Sequence, residues 1–201
     1  MRRNSRSISA IAATAVAGIL LAAGGMLLWG SAYVHNTVQG QLASQQIFFP
    51  PKAAFAHPVA GTEITPSMIP LVSQYAGEQM LTGQQAEAYA DHFIAVHIAE
   101  IGGGKTYSQL STLSIAQPNN TKLAGEVATV FKGETLRSML LNAYGWWKVS
   151  QITYIASIAA LSLGGLALIG GVFGLAASRK TQHVAVTAQP DIETITPART
   201  A

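Results

Sequence analysis

The stretch LRSMLLNAYGWWKVSQITYIASIAALSLGGLALIGGVFGLAASRK, residues 136–180, decides the fold. From Ile152 to Ala177 it runs 26 residues without a charge. An uninterrupted apolar run of this length is a membrane span, since about 20 residues cross the hydrocarbon layer. Its polar members, Thr153, Tyr154, Ser157 and Ser162, carry hydroxyls that can bond back to their own helix. Upstream, Leu136, Met139, Leu140 and Ala143 recur at helical spacing with no proline before the span. Gly145 alone costs a helix only about 1 kcal/mol. The spacing therefore predicts a helix that begins near Glu134, outside the membrane, and runs through the headgroup layer into the lipid.

A second uncharged run of 23 residues, Ile8 to Gly30, stands near the start of the chain. As a helix it covers roughly 35 Å, against a hydrocarbon core of about 30 Å. Its basic start and the GSA at 30–32 also suit a cleaved signal peptide, but the run exceeds the usual apolar region of about 7–15 residues. An uncleaved anchor is the reading adopted. The helix can continue outward to Gln46, where Pro50 and Pro51 soon stop it.

The flanks give the direction. Arg2, Arg3 and Arg6 precede the first run, and Arg179 and Lys180 follow the second. Positive residues favour the cytoplasmic side, which puts both termini there. Trp29 and Tyr33 close the first run; Tyr144, Trp146 and Trp147 open the second. Such rings favour headgroup level and mark the outer boundary. The expected organisation is a mostly α chain with two transmembrane helices extending into an extracytoplasmic helical domain. Residues 1–7 form a cytoplasmic N-terminus, 8–32 the first span, 33–148 the outer domain, 149–178 the second span and 179–201 a disordered cytoplasmic tail. Small residues four apart in each span are expected to let the helices approach closely: Ala10, Thr14, Gly18 and Ala22 in one, and Ala156, Ala160, Gly164, Gly170 and Gly174 in the other.

Composition agrees. Charged residues make up 10% of 201, and the mean hydropathy is +0.31, a balance hard to keep in solution unless lipid covers part of the surface. Between Tyr33 and Lys148 six Lys/Arg stand against seven Asp/Glu, so no basic stripe tracks phosphates and nucleic acid is not expected as a partner. The chain has no cysteine, which excludes disulfides, thiolate metal sites and cysteine nucleophiles.

In the outer domain, Thr82 with Gln85 and Thr106 with Gln109 are capping-box pairs that start helices. Gly102, Gly103 and Gly104 can close the first of them, and Pro118 with Asn119 and Asn120 the second. A third helix begins near Thr121, with a break expected at Gly133. Ile47, Phe48 and Phe49 are an apolar load expected to be buried, the two phenylalanines near Leu136 and Leu140. Residues 52–70 read as an irregular wrap.

Little here points to chemistry. Gly104, Lys105 and Thr106 match the end of a phosphate-binding loop, but its first glycine is Ala99 and a helix, not a strand, precedes it, so no nucleotide is expected. His57, His92, His97 and Glu100 are the only candidates for a metal site. His92 and His97 are five apart, about 140° around an α-helix, and do not share a face. Neither a metal nor another cofactor is expected. No nucleophile-elbow G-x-S-x-G occurs.

QQIFFPP, QYAG, AEAYADHFIAVHIAE, GKTYSQLS and GETLRSMLLNAYGWW together resemble a group of small two-span membrane proteins from actinobacteria. The resemblance covers about residues 30–178, and its most specific part is GETL…LLNAYGWW before the second span. Some members are labelled aromatic ring-opening dioxygenases. That activity does not carry over, because extradiol ring opening needs Fe(II) on two histidines and a carboxylate. The resemblance implies an actinobacterial plasma-membrane protein with an exported helical domain. The reading is a non-enzymatic accessory or scaffold subunit whose partners are membrane lipid and other envelope proteins. A lipid- or small-molecule-binding module is the alternative, and a metal-dependent enzyme the third.

The topology is testable with a reporter active only outside the membrane. Fused at residue 115 it should be active, and fused at residue 201 inactive; activity at both positions, or the reverse pattern, would contradict the two-span arrangement.

Overall fold

Apolar periodicity without proline lets one helix run far, and in a computed structural model describing residues 2–56, 58 and 64–187 two helices do so. α1 spans Arg2–Ser44 and α7 spans Thr121–Thr187. Between them stand α2 (Lys52–Ala56), α3 (Ile69–Val72) with a 3₁₀ turn at Ser73–Tyr75, α4 (Gly83–Tyr89), a π turn at Ala90–Ile94, α5 (Ala95–Ile101) and α6 (Tyr107–Ala116). Extended pairing among the described residues is confined to the isolated bridge Phe48–Gln79. The chain is mostly α, and two of its helices are long and apolar enough to cross a membrane. Only 11% of the most apolar window of either is buried, so neither is the enclosed core helix of a soluble domain.

Helix ends follow local chemistry. Thr82 Oγ1 accepts from Gln85 N at 3.2 Å while Gln85 Oε1 accepts from Thr82 N at 3.0 Å, a complete capping box. Thr106 and Gln109 repeat it at the start of α6. Gly103 and Gly104 take φ of 56° and 74° after α5, a left-handed exit that suits glycine. α1 ends at Ser44, and Gln46 turns the chain with φ 51°.

Three expectations need correction. First, α7 does not break at Gly133, nor does it start near Glu134: it is continuous from Thr121. Gly133 marks a close approach instead, because a Cβ there would collide with Ile98 Cγ2 of α5. Second, Phe48 is not buried but 58% exposed, while Phe49 is buried and Ile47 half-buried. The chain here is extended: Met80 N donates to Ile47 O and Phe49 N to Glu78 O, both at 2.9 Å. Successive side chains of an extended segment point to opposite sides, so Phe48 and Phe49 cannot share a fate. Third, α7 carries on to Thr187, beyond the expected start of the tail; residues 188–201 lie outside the described residues.

The chain divides into two compact units, Met1–Leu27 with Ala156–Ala201, and Leu28–Ile155. In the first, α1 and α7 pack through small residues. Gly24 lies against Leu161, Gly164 against Leu20 and Leu21, Gly171 against Thr14, and Gly174 against Ala10. The positions that disappear from the surface are Ala10, Ala17 and Gly24 on α1, and Ser157, Gly164 and Gly171 on α7. Each set repeats every seven residues, the period of a left-handed pair. Thr14 Oγ1 donates to Ala10 O at 2.9 Å, so its hydroxyl is satisfied within its own helix.

The second unit has a core of Val38 and Leu42 from α1, Phe49, Met68, Val72 and Met80 from the intervening segment, Ala86, Phe93, Ile94 and Ile98 from α4 to α5, and Leu140 and Trp147 from α7. Rings run through it in sequence: Phe49 is 5.2 Å from Tyr75 and 5.4 Å from Tyr89, and Tyr89 is 4.6 Å from Phe93. A smaller cluster of Leu110, Leu123 and Val130 joins α6 to the start of α7.

Two glycines separate the effects of packing and backbone freedom. A Cβ at Gly83 would meet Cβ and Cγ of Trp147, atoms that cannot swing away. Gly83→Ala should therefore destabilise the full chain in detergent by about 1–3 kcal/mol. Gly145 has open space around it within the helix, so Gly145→Ala should stabilise by about 0.5–1 kcal/mol. Chemical unfolding followed by circular dichroism reads both, and equal shifts would contradict the packing of Trp147 on Gly83.

Candidate functional site: a groove between α1 and α7

In the second unit α1 and α7 run antiparallel and pair closely. Ser31 Oγ donates to Ser150 O at 2.8 Å, and Ser150 Oγ donates to Trp147 O at 2.7 Å, both buried. One turn further along, the His35 ring lies 4.0 Å from that of Trp147, tilted by 35°. Serine at these places keeps the backbones close, and its hydroxyl is satisfied without water.

Beside this seam is a groove of about 590 Å³, within the range of small-molecule sites. α1 lines it with Leu28, Ser31, Ala32, His35 and Asn36, and α7 with Ser150, Gln151, Tyr154 and Ile155. Its surface is mostly apolar, and no Asp, Glu, Lys or Arg contributes to it. The outward end of the groove is polar on α1, with His35 and Asn36; Gln151 stands midway, beside the Ser31–Ser150 contact, and Tyr154 stands at the level of Leu28. Leu28 and Ile155 stand where the apolar runs of the two helices begin. The arrangement suits binding an amphiphile, with amide and imidazole groups to orient its head.

The aromatic residues expected at the outer boundary divide. Trp29 is 71% exposed and stacks on Tyr33 at 5.8 Å, and Trp146 is also exposed. Tyr144 is half-buried, with Lys148 Nζ 5.4 Å from its ring centre. Trp147 is 5% exposed and belongs to the core, between His35 and Gly83. Adjacent residues on a helix point about 100° apart, so a WW pair cannot put both rings on one face.

The residues named for spacing of four also divide. Ala10, Thr14, Gly164 and Gly174 face the other helix; Gly18, Ala22, Ala156 and Gly170 are exposed, and Ala160 is half-buried. Each step of four rotates by about 40°, so three steps leave the face, whereas a step of seven drifts by only about 20°.

His57 lies outside the described residues. His97 Nδ1 is 2.8 Å from Phe93 O and its ring packs on Phe93 at 4.6 Å. Glu100 is exposed, and His92 is half-buried on the π turn. That turn contains an extra residue, so the angle reckoned from α-helical winding does not apply between the two histidines. Among the described residues, no three of His, Cys, Asp and Glu come together as metal ligands do. Asp91, also on the π turn, accepts from Arg137 Nη2 at 2.8 Å and so ties the turn to α7. Sequence reasoning missed this pair, whose members are 46 residues apart.

A second, polar cavity of about 390 Å³ lies between the glycine turn and the start of α7, with Glu100, Lys105, Lys122 and Glu126 on its wall. Two acids offset two bases there. The Thr106 hydroxyl accepts from Gln109 N at 3.3 Å as a helix cap, which occupies it in local structure.

Comparison of the chain with protein-family models, with characterised proteins and with solved structures finds no match.

Proposed function

We propose that the chain is an integral protein of the plasma membrane that crosses it twice, with both termini in the cytoplasm and residues 33–148 outside. The two long apolar helices support the crossing, and the basic flanks and the exposed Trp29, Tyr33 and Trp146 support its direction.

Its work, on this reading, is to hold another helical membrane or envelope protein as an accessory or scaffold subunit, without catalysis. The observation that carries it is an exposed apolar face on the outer part of α7. Phe131, Met139, Trp146 and Val149 are all exposed, Met139 by 65%, and fall within an arc of about 80° of the helix. Thr135, Ser138 and Asn142 interleave with them. Four aligned, exposed apolar side chains spread over about five turns, two of them aromatic, are the composition of a protein contact. The face is also long, which suits a partner helix packing along it.

A photo-reactive group placed at Met139 in native membranes should crosslink to protein, and one placed at Gly40, an exposed site with open space, should not. Phe131→Glu should lower the Met139 adduct by about tenfold or more, as loss of a contact anchor does. Adducts to lipid alone, or a protein adduct indifferent to Phe131→Glu, would contradict the proposal.

A further inference from the structure

Given the membrane crossing proposed above, on which this rests, we infer that the groove between α1 and α7 holds one lipid of the outer leaflet. The acyl chain lies along Leu28, Ala32 and Ile155, the headgroup sits against His35 and Asn36, and Gln151 stands midway along the groove.

Three observations select a lipid over other occupants. The first is position. The groove residues interleave along α1 with Trp29 and Tyr33, whose exposed rings mark the headgroup level. A site at that level meets lipid at a concentration no dissolved ligand reaches. The second is the direction of polarity. The inner end of the groove, at Leu28 and Ile155, adjoins the apolar runs of both helices, and His35 and Asn36 lie at its outward end, the order of chain and headgroup in a leaflet. The third is charge. The lining holds no Asp, Glu, Lys or Arg, so a chain enters without uncovering one of these charges, while a small hydrophilic solute would leave the apolar wall without a partner. Asn36 and Gln151 supply hydrogen-bond donors and acceptors suited to the phosphate and glycerol oxygens of a phospholipid. The seam beneath is rigid, since the hydroxyls of Ser31 and Ser150 are engaged with backbone carbonyls. The floor therefore does not collapse into the groove.

The test uses the full chain in phosphatidylcholine vesicles with a trace of phosphatidylglycerol bearing a photo-reactive group in its acyl chain. Labelled peptides are then mapped by mass spectrometry. Labelling should concentrate at Leu28, Ala32 and Ile155 over the outward-facing Ile19 and Leu163 of the apolar runs. Ala32→Trp, which fills the groove from an exposed position, should lower labelling at Ile155 by about tenfold, the loss expected when roughly two buried methylenes are displaced. The wild-type map alone tests the inference should that variant misfold. Even labelling of all lipid-facing residues would overturn it, as would labelling at Ile155 unchanged by Ala32→Trp. Displacement of the label by water-soluble glycerol phosphate would show a headgroup site without a chain and overturn it too. A chain that floats with the vesicles but labels evenly leaves the two-span reading intact, whereas a chain that does not float overturns both.

Discussion

The unit Leu28–Ile155 depends on one contact, the indole of Trp147 against Gly83. Trp147 comes from α7, Gly83 opens α4, and the His35 ring of α1 packs on the indole at 4.0 Å. Three segments distant in sequence thus meet on a single side chain. The indole is large enough to dominate the burial energy of a small core, and it has no room for even a methyl group at Gly83. The capping box at Thr82 and Gln85 immediately precedes this contact and fixes where α4 begins, so the position of Gly83 is set by backbone hydrogen bonds as well as by packing. Gly133 does the same service about four turns earlier in α7, where α5 presses Ile98 onto it.

In the apolar unit the governing constraint is different. Water is not there to drive apolar surfaces together if lipid surrounds them, and association rests on close van der Waals approach. Alanine, glycine and serine at seven-residue intervals permit that approach along Ala10, Ala17 and Gly24, and along Ser157, Gly164 and Gly171. The large apolar residues, among them Ile19, Met26, Leu163 and Phe173, are turned outward. This is the reverse of a soluble helix pair, in which the large residues are inside. Within the unit Leu28–Ile155 the burial order returns to normal: Met68, Val72, Met80 and Val130 are fully enclosed. The two units thus show opposite orders of burial within one chain.

The groove follows from the seam. Small side chains at Ser31, Ala32 and Ser150 let the helices come close, but they also leave space beside the line of contact that larger residues would have filled. Close pairing and a cavity are two results of one choice of residue size. The π turn has a comparable double effect. It interrupts the helix from α4 to α5, yet it lets Phe93 and Ile94 both reach the core and leaves Asp91 to meet Arg137.

What the sequence by itself determined is everything that rests on neighbours along the chain. Two uncharged runs imply two long apolar helices. Thr82 with Gln85 and Thr106 with Gln109 start helices through hydrogen bonds spanning three residues. Glycines 103 and 104 end one through left-handed φ, and the approach to Pro50 ends another. The tertiary structure alone decided which face each helix shows. Trp146 and Trp147 are chemically the same, and only the position of Gly83 and His35 makes one a surface residue and the other a core residue. Gly133 reads as a break because glycine weakens helices, but a neighbouring helix needs its missing side chain more than α7 needs its propensity. Spacing of four and spacing of seven coexist among the small residues, and only the partner helix selects between them. Each of these outcomes is set by residues tens of positions away, brought close by folding, and no local pattern encodes that distance.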